Sequence, residues 1–327
     1  HPEAGQTPPE RLALGRRVLP QCSPMTAAGD PPRPASSAVP PSAARRLAIA
    51  LQRRPRLRLG LLLAGPVGWL VIAYLGSLLI LFLNAGWSRD PFTGLVKRDF
   101  TFNNFAELVT NPVYRTVTLR TIGMAVAVTV TCALLAFPIA YYMARVASPR
   151  LRGLLVIAVL MPLWSSYLIK AYSWRQILSG DGVLNWALAP LGLHGPGLDV
   201  VGLWLVLTYL WLPYMILPVY AGLERIPNSL LEASADLGGR GLFTFRRVVL
   251  PLVFPALVAG SIFTFSLTLG DYIAPSLITT TQFIGNVILA NFGVPNLPLA
   301  ATISLVPLVV VTIYLLIARR LGAFEAL

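Results

Sequence analysis

Long apolar stretches, separated by shorter polar segments, run through most of the chain. Six of them are close to the ~20 residues that a helix needs to cross the ~30 Å hydrocarbon core of a membrane. They cover about 60–83, 117–143, 153–172, 200–222, 251–275 and 302–318. None shows the alternating polar positions of a membrane β-barrel strand. The pattern therefore predicts an all-α, polytopic membrane protein with six transmembrane helices.

The composition supports this prediction, because 56% of the residues are hydrophobic and only 12% are charged. These values exclude an ordinary soluble domain. We expect a disordered cytoplasmic tail rich in Pro and Arg over 1–59, a transmembrane domain over 60–320 and a cytoplasmic C-terminal tail over 321–327. The first residue is His1 and the first methionine is Met25, which leaves the natural start of the chain open.

The net charge of +13 is distributed unevenly along the chain. Of the 26 basic residues, 19 fall in the N-terminal segment, between spans two and three, in the loop over 223–250 and after span six. Because basic loops remain on the cytoplasmic side, we expect both termini and the 223–250 loop to face the cytosol. The same charge suits contact with anionic lipid of the bilayer. It therefore does not indicate a nucleic-acid ligand.

The 223–250 loop carries the most informative polar segment of the chain. Its residues 232–238 read EASADLG, and VVLP follows at 248–251. Pro227 is suited to the first turn of a helix and Gly238 to its end, so we predict a helix over 227–238. Glu232 and Asp236 should share one face, and the other face should carry Leu230, Ser234 and Leu237. A fixed helix between spans favours a docking role. The alternative, a helix lying on the bilayer, fits poorly with two acidic residues facing anionic lipid.

This segment resembles the cytoplasmic coupling loop of ABC-transporter permeases, written E-A-A-x3-G-x9-I-x-L-P. Ser234 replaces the second alanine and Val248 replaces the isoleucine. The resemblance implies a type I ABC importer permease architecture in the bacterial inner membrane. It also implies that the residues that couple to the ATPase are Glu232, Ala233, Ser234, Asp236, Gly238, Leu250 and Pro251.

The partners are implied by the same resemblance. They are a second, homologous permease subunit, two cytoplasmic ATP-binding subunits and an extracytoplasmic substrate-binding protein. The chain itself has no Gly-Lys-Ser/Thr sequence, since Val96 precedes Lys97 and Ile169 precedes Lys170. We therefore expect ATP to be bound by a partner subunit. We expect no cofactor, metal or catalytic residue in this chain, which would not be an enzyme by itself.

Three further segments resemble the spermidine/putrescine permeases, and most of all their B-type subunit. They read FPIAYYMAR at 137–145, MPLWSSY at 161–167, and GDYIAP at 270–275 with IGN at 284–286. The resemblance implies a translocation pathway for polyamine-like cations. Related permeases carry ferric iron, sulfate or opines, and the sequence leaves these solutes open. A secondary transporter would need ionisable residues near mid-membrane, and these spans hold few.

A polyamine is a chain of ammonium groups, so its path should offer carboxylates and aromatic faces. We expect Asp271 near the external end of span five, with Tyr272 on an adjacent face of the same helix. Trp164 and Tyr167 are further candidates. The alternatives are that Asp271 bonds to local backbone or water, and that the aromatic residues anchor the chain at the membrane interface. Lys170 would pair with a carboxylate or extend to the surface.

Overall fold

The computed structural model describes residues 55–90, 92–293 and 296–322. Contacts divide the chain into two units, His1–Gly65 and Pro66–Leu327. Of the first unit, only 55–65 is described, and these residues belong to a helix that begins at Pro55. Most of the predicted N-terminal tail, including Met25, and the last five residues of the predicted C-terminal tail lie outside the described residues.

Helices account for most of the described chain, with one small β-hairpin between the first two of them. The elements are α1 (Pro55–Ala85), β1 (Ser88–Arg89), β2 (Val96–Lys97), α2 (Asn103–Thr110), α3 (Pro112–Tyr141), a π-helical turn (Tyr142–Val146), α4 (Pro149–Trp164), α5 (Tyr167–Leu178), α6 (Val183–Leu188), a 3-10 turn (Ala189–Leu191), α7 (Val200–Glu224), α8 (Asn228–Asp236), α9 (Gly241–Thr244), a second π-helical turn (Phe245–Val249), α10 (Leu250–Gly270), α11 (Ile273–Ile278), α12 (Ile284–Gly293) and α13 (Leu297–Arg320).

Within the described ranges, five helices are long and apolar enough to cross a membrane, and a sixth span results if the bent pair α4 and α5 is counted as one. The all-α, six-span prediction is therefore confirmed. One span differs from the expectation of a continuous helix over 153–172. The chain bends by 94° between α4 and α5, because Ser165 and Ser166 adopt extended backbone conformations.

The helices α3, α7 and α10 pack against one another and form the main core. Buried side chains of α7, including Leu203, Met215 and Val219, lie at its centre. Small residues bring the helices close together, as is usual in membrane bundles. A Cβ built on Gly260 of α10 would lie 2.8 Å from the sulfur of Met215, and one built on Gly222 of α7 would lie 2.5 Å from the Cβ of Ala256. The candidate sites described below lie at the ends of these core helices.

The carboxylate of Asp90 adds side-chain bonds to the backbone pairing of the β-hairpin. Asp90 accepts hydrogen bonds from the backbone N–H groups of Phe92 (2.8 Å) and Thr93 (3.1 Å), and its other oxygen lies 3.2 Å from Nζ of Lys97. The two backbone donors, with Lys97, lower the pKa of Asp90 from 3.8 to about 2. The ring of Phe92 is almost fully exposed.

Candidate functional site

The predicted coupling helix is present as α8, one turn shorter than expected. It covers Asn228–Asp236, and Pro227 precedes it as the N-cap instead of occupying its first turn. The C-terminal end of the helix is closed by Gly238, as the sequence predicted. Gly238 has a φ of +77°, its N–H bonds to the Ala235 carbonyl (2.9 Å), and the N–H of Gly239 bonds to the Ser234 carbonyl (2.8 Å). These two bonds define a Schellman motif.

The sequence grouped Leu230, Ser234 and Leu237 on one face of α8 without assigning its burial, and the structure buries only one of the three. Leu231 packs against the main core and Ser234 is buried, whereas Leu230 is exposed and Leu237 is 89% exposed. Leu231 and Ser234 are three positions apart, so they lie on the same face of α8, and this face is turned towards the core of the helix bundle. As expected, Glu232 and Asp236 are both exposed. The outward face of α8 therefore combines carboxylates with an uncovered apolar side chain.

Ser234 fixes the C-terminal half of α8 to the following span. Its hydroxyl lies 2.8 Å from that of Thr244, just before the π-helical turn that leads into α10. A Cβ on Gly239 would lie 2.6 Å from the Ser234 carbonyl oxygen, so only glycine fits at this crossing. The serine that replaces the family's second alanine thus makes a contact that an alanine could not make.

The N-terminal end of α8 is fixed by an arginine that sequence reasoning missed. Arg145 follows α3 in the first π-helical turn, and its guanidinium donates to the side-chain oxygen of Asn228 (2.8 Å). It also donates to the carbonyls of Leu223 and Ile226, each at 2.6 Å. The sequence identified Arg145 as a basic residue on the cytoplasmic side and as the end of the FPIAYYMAR segment, without assigning it a partner. No local sequence signal links it to residues about 80 positions away.

The segment over 248–251 joins the loop to span five. The π-helical turn over Phe245–Val249 runs directly into α10, which begins at Leu250, one residue before the predicted start at Pro251. The ring of Phe245 packs edge-on against that of Phe137 of α3, with centroids 5.1 Å apart. The start of span five and the end of span two are therefore in contact beside α8.

The pathway candidates lie at the other end of α10, which is ~30 Å long at 1.5 Å per residue. Asp271 follows the last residue of α10, in an extended conformation. Its Oδ1 accepts from the N–H groups of Ile273 (2.9 Å) and Ala274 (3.3 Å), and its Oδ2 accepts from the Tyr167 hydroxyl. The structure thus joins Asp271 to Tyr167 and also gives the carboxylate the local backbone partners that the alternative interpretation expected.

The prediction that Tyr272 and Asp271 lie on the same helix is wrong. The helix α10 ends at Gly270, and both residues lie between it and α11. The side chain of Tyr272 is partly exposed, and that of Trp164, the last residue of α4, is 89% exposed. Tyr167 instead stacks on Trp211 of α7, with centroids 5.9 Å apart, and Trp211 lies 5.8 Å from Tyr214. These two aromatic residues of span four were not predicted, since they lie within a uniformly apolar run.

The segment IGN at 284–286 folds against Asp271 and Tyr272. A Cβ on Gly285 would lie 2.9 Å from the Asp271 carbonyl oxygen and 2.8 Å from Cβ of Tyr272. The amide of Asn286 donates to the Tyr272 carbonyl (3.3 Å) and to the hydroxyl of Ser276 (2.7 Å). The two parts of the most specific sequence segment therefore form one structural unit.

Lys170 pairs with a backbone carbonyl, not with the carboxylate that was one of the two expectations. Its Nζ donates to the Pro162 carbonyl (2.9 Å), and the hydroxyl of Ser165 donates to the same oxygen (2.8 Å). A helix end leaves carbonyls without partners inside the helix. Lys170 thus stabilises the end of α4 at the bend, where it pairs with backbone and not with a carboxylate.

Comparisons with known proteins agree with this architecture. Residues 136–323 match the family described as "Binding-protein-dependent transport system inner membrane component". The inner membrane ABC transporter permease protein YdcU of Escherichia coli K12 is 49% identical over 290 residues, which cover 84% of this chain and 92% of YdcU. The spermidine/putrescine transport system permease protein PotB of Salmonella typhimurium SL1344 is 32% identical over 265 residues, 78% of this chain and 90% of PotB.

Two solved structures share the fold at low sequence identity. One is a chain of a bacterial ABC transporter involved in the import of the acidic polysaccharide alginate, with a TM-score of 0.58, 18% identity and coverage of 84% of this chain and 99% of that chain. The other is a chain of the MetNI methionine ABC transporter, with a TM-score of 0.52, 15% identity and coverage of 70% and 100%. Together with α8 and its Gly238 end, these similarities establish that the chain belongs to the inner membrane components of binding-protein-dependent transport systems, the permease subunits of ABC importers.

Proposed function

We propose that this permease carries polyamine-like cations and that α8 couples their transport to ATP hydrolysis by separate subunits. The observation that carries the coupling role is the construction of α8. The helix is anchored at both ends and presents Glu232, Asp236 and Leu237 outward. An apolar side chain that is 89% exposed beside two carboxylates suits a protein groove better than water or an anionic membrane surface.

The mechanism follows from the anchoring. When ATP binding closes the two cytoplasmic ATPase subunits, they would push on the outward face of α8 and displace the helix. Because Leu231 packs in the core and Ser234 bonds to Thr244, a displacement of α8 would move span five with it. Their displacement would open the pathway to the outside, where a binding protein releases its solute, and hydrolysis would reset the complex. With α8 on the cytoplasmic side, where the ATPase subunits are, both termini also face the cytosol.

The solute proposal rests on two independent observations. The relative PotB, named for spermidine and putrescine, is 32% identical over most of the chain. In the structure, Asp271 lies beside Tyr167, whose ring stacks on Trp211. A carboxylate next to aromatic faces is the environment that attracts alkylammonium groups. A second, homologous permease subunit would complete the pathway from the opposite side.

The coupling role is tested with Gly238→Asp and Glu232→Lys in the complex reconstituted with its partner permease, ATPase and binding protein. We expect normal protein levels but loss of spermidine uptake and of substrate-stimulated ATP hydrolysis. Asp181→Lys, a charge reversal at an exposed residue outside the loop, is the control and should retain both. Uptake at the wild-type rate by the two loop variants would contradict the coupling role.

A further inference from the structure

Arg145 connects the end of span two to the junction between α7 and α8, which lies about 80 positions further along the chain. It lies in the π-helical turn that ends span two. One guanidinium nitrogen donates to Asn228, the first residue of α8, and the other donates to the carbonyls of Leu223, in the last turn of α7, and of Ile226, two residues after α7 ends. All three bonds are 2.8 Å or shorter, as expected for charge-assisted hydrogen bonds.

The two carbonyls explain why an arginine is needed at this point. Leu223 lies in the last turn of α7, where a cation is favoured by the helix dipole, and Ile226 lies in the connection that follows the helix. The planar guanidinium presents several donors in a fixed fork, so it can bind two carbonyls and a side-chain amide at once. A lysine has one nitrogen at the end of a flexible stem and could not hold the same arrangement.

The π-helical turn that carries Arg145 is itself fixed. Arg152 of α4 donates to the carbonyls of Met143 (3.1 Å) and Ala144 (3.0 Å) within or beside that turn. Its guanidinium also lies 3.4 Å from the carboxylate of Glu224 at the end of α7. Turns of this kind leave carbonyls poorly bonded and occur often at functional sites. Arg145 is therefore supported from span three as well as from span two.

We propose that Arg145 is a positioning residue for energy coupling, because it makes α8, the end of α7 and the end of α3 move as one body. The inference rests on the proposed role of α8. Ser234 links α8 to span five, but the described side-chain hydrogen bonds between α8 and span two pass through Arg145. Without Arg145, a displacement of α8 would be absorbed by the short connection over 225–227 instead of being passed on to span two.

The test is the number of spermidine molecules imported per ATP hydrolysed by the reconstituted complex. Arg145→Gln should still assemble with the ATPase and hydrolyse ATP, while import per ATP falls at least tenfold. Arg150→Gln removes a neighbouring exposed charge of the same loop and should leave the ratio unchanged. Wild-type import per ATP in Arg145→Gln would overturn the proposal.

Variants of Asn228 distinguish the loss of the hydrogen bond between Arg145 and Asn228, which we call the tether, from a general loss of stability. Asn228→Ala removes the bond to α8 and leaves Arg145 on the carbonyls of Leu223 and Ile226, so import per ATP should fall severalfold without a change in thermal stability. Asn228→Asp keeps an acceptor for the guanidinium and should restore the ratio. Ser229→Ala, at the next exposed position, is the control. If Arg145→Gln fails to accumulate, these variants still decide the question.

A double-mutant cycle excludes a direct contact of Asn228 with the ATPase. If both residues act through one bond, Arg145→Gln with Asn228→Ala should lose no more than Arg145→Gln alone. A loss equal to the product of the two single losses would overturn the tether. Gly238→Asp is measured alongside. Retained coupling in the Arg145 variants, with loss in Gly238→Asp, would contradict only the present proposal, whereas retained coupling in both would contradict the role of α8 itself.

Discussion

The end of α8 requires glycine twice in succession, for two different reasons, and alanine substitutions should separate them. Gly238 has a φ of +77°, but a Cβ there would meet nothing within 4 Å. Gly239 has no such backbone demand. A Cβ there would lie 2.6 Å from both the carbonyl and hydroxyl oxygens of Ser234 and 3.1 Å from the hydroxyl of Thr244.

The magnitudes follow from these contacts. Gly238→Ala places a side chain in the left-handed conformation, which costs about 1–2 kcal/mol. Gly239→Ala pushes against a backbone carbonyl that cannot rotate away. It should break the bond from the Gly239 N–H to Ser234 and the bond between Ser234 and Thr244, each contributing about 0.5–1.5 kcal/mol. The loss of both hydrogen bonds in Gly239→Ala costs about 1–3 kcal/mol, which raises the fraction of molecules in which the end of α8 is locally unfolded roughly 5- to 150-fold.

Hydrogen exchange of peptides covering 228–240, measured on the assembled complex, reports that locally unfolded fraction directly. Both variants should lose protection at the end of α8, and Gly239→Ala should lose at least as much as Gly238→Ala. Gly241→Ala is the matched control, because a Cβ at Gly241 meets nothing within 4 Å and no positive φ is required there. Unchanged protection in Gly239→Ala would refute the packing argument.

Three further predictions concern single side chains. Ser234→Ala should reduce protection of α8 by the value of one hydrogen bond to Thr244, about 0.5–1.5 kcal/mol, and should lower transport only in part, because Leu231 still packs in the core; hydrogen exchange and uptake measure the two effects. Asp271→Asn retains the cap on the backbone N–H groups but loses the charge beside Tyr167, so spermidine uptake should fall at least tenfold; normal uptake would leave only the structural role. Since the pKa of Asp90 is lowered to about 2, its stabilisation of the hairpin is complete above its ordinary value of 3.8 and is lost as the pH falls through 2. A spin label at the hairpin tip should therefore keep its mobility from pH 7 to pH 4, and a gain in mobility within that range would contradict the assignment.

Much of the fold could be predicted because membrane spans leave a strong signal in one dimension. The bend in span three could not, although Pro162 lies near it. Prolines inside α3 and α7, at Pro138, Pro213 and Pro218, leave those helices continuous. At the break, Lys170 bonds to the Pro162 carbonyl that is left without a helical partner, a contact between two helices that sequence spacing does not reveal.

The coupling helix was predictable at its C-terminal end and not at its anchors. A glycine that ends a short polar helix is a local signal, and the observed Schellman motif matches it. The spacing grouped Leu230 with Ser234 and Leu237 but did not show which residue contacts the core, and in the structure this residue is Leu231. Arg145 and Asn228 are 83 positions apart, so their contact exists only once α3, α7 and α10 have packed.

The most direct test of the account is ATP hydrolysis by the reconstituted complex of this chain with its partner permease, ATPase and binding protein. Spermidine, putrescine and ferric iron are compared as stimulants. The account predicts stimulation by the two polyamines and none by iron, and loss of that stimulation in Glu232→Lys. Stimulation by iron alone would contradict the polyamine pathway. Full stimulation in Glu232→Lys would contradict the coupling role of α8.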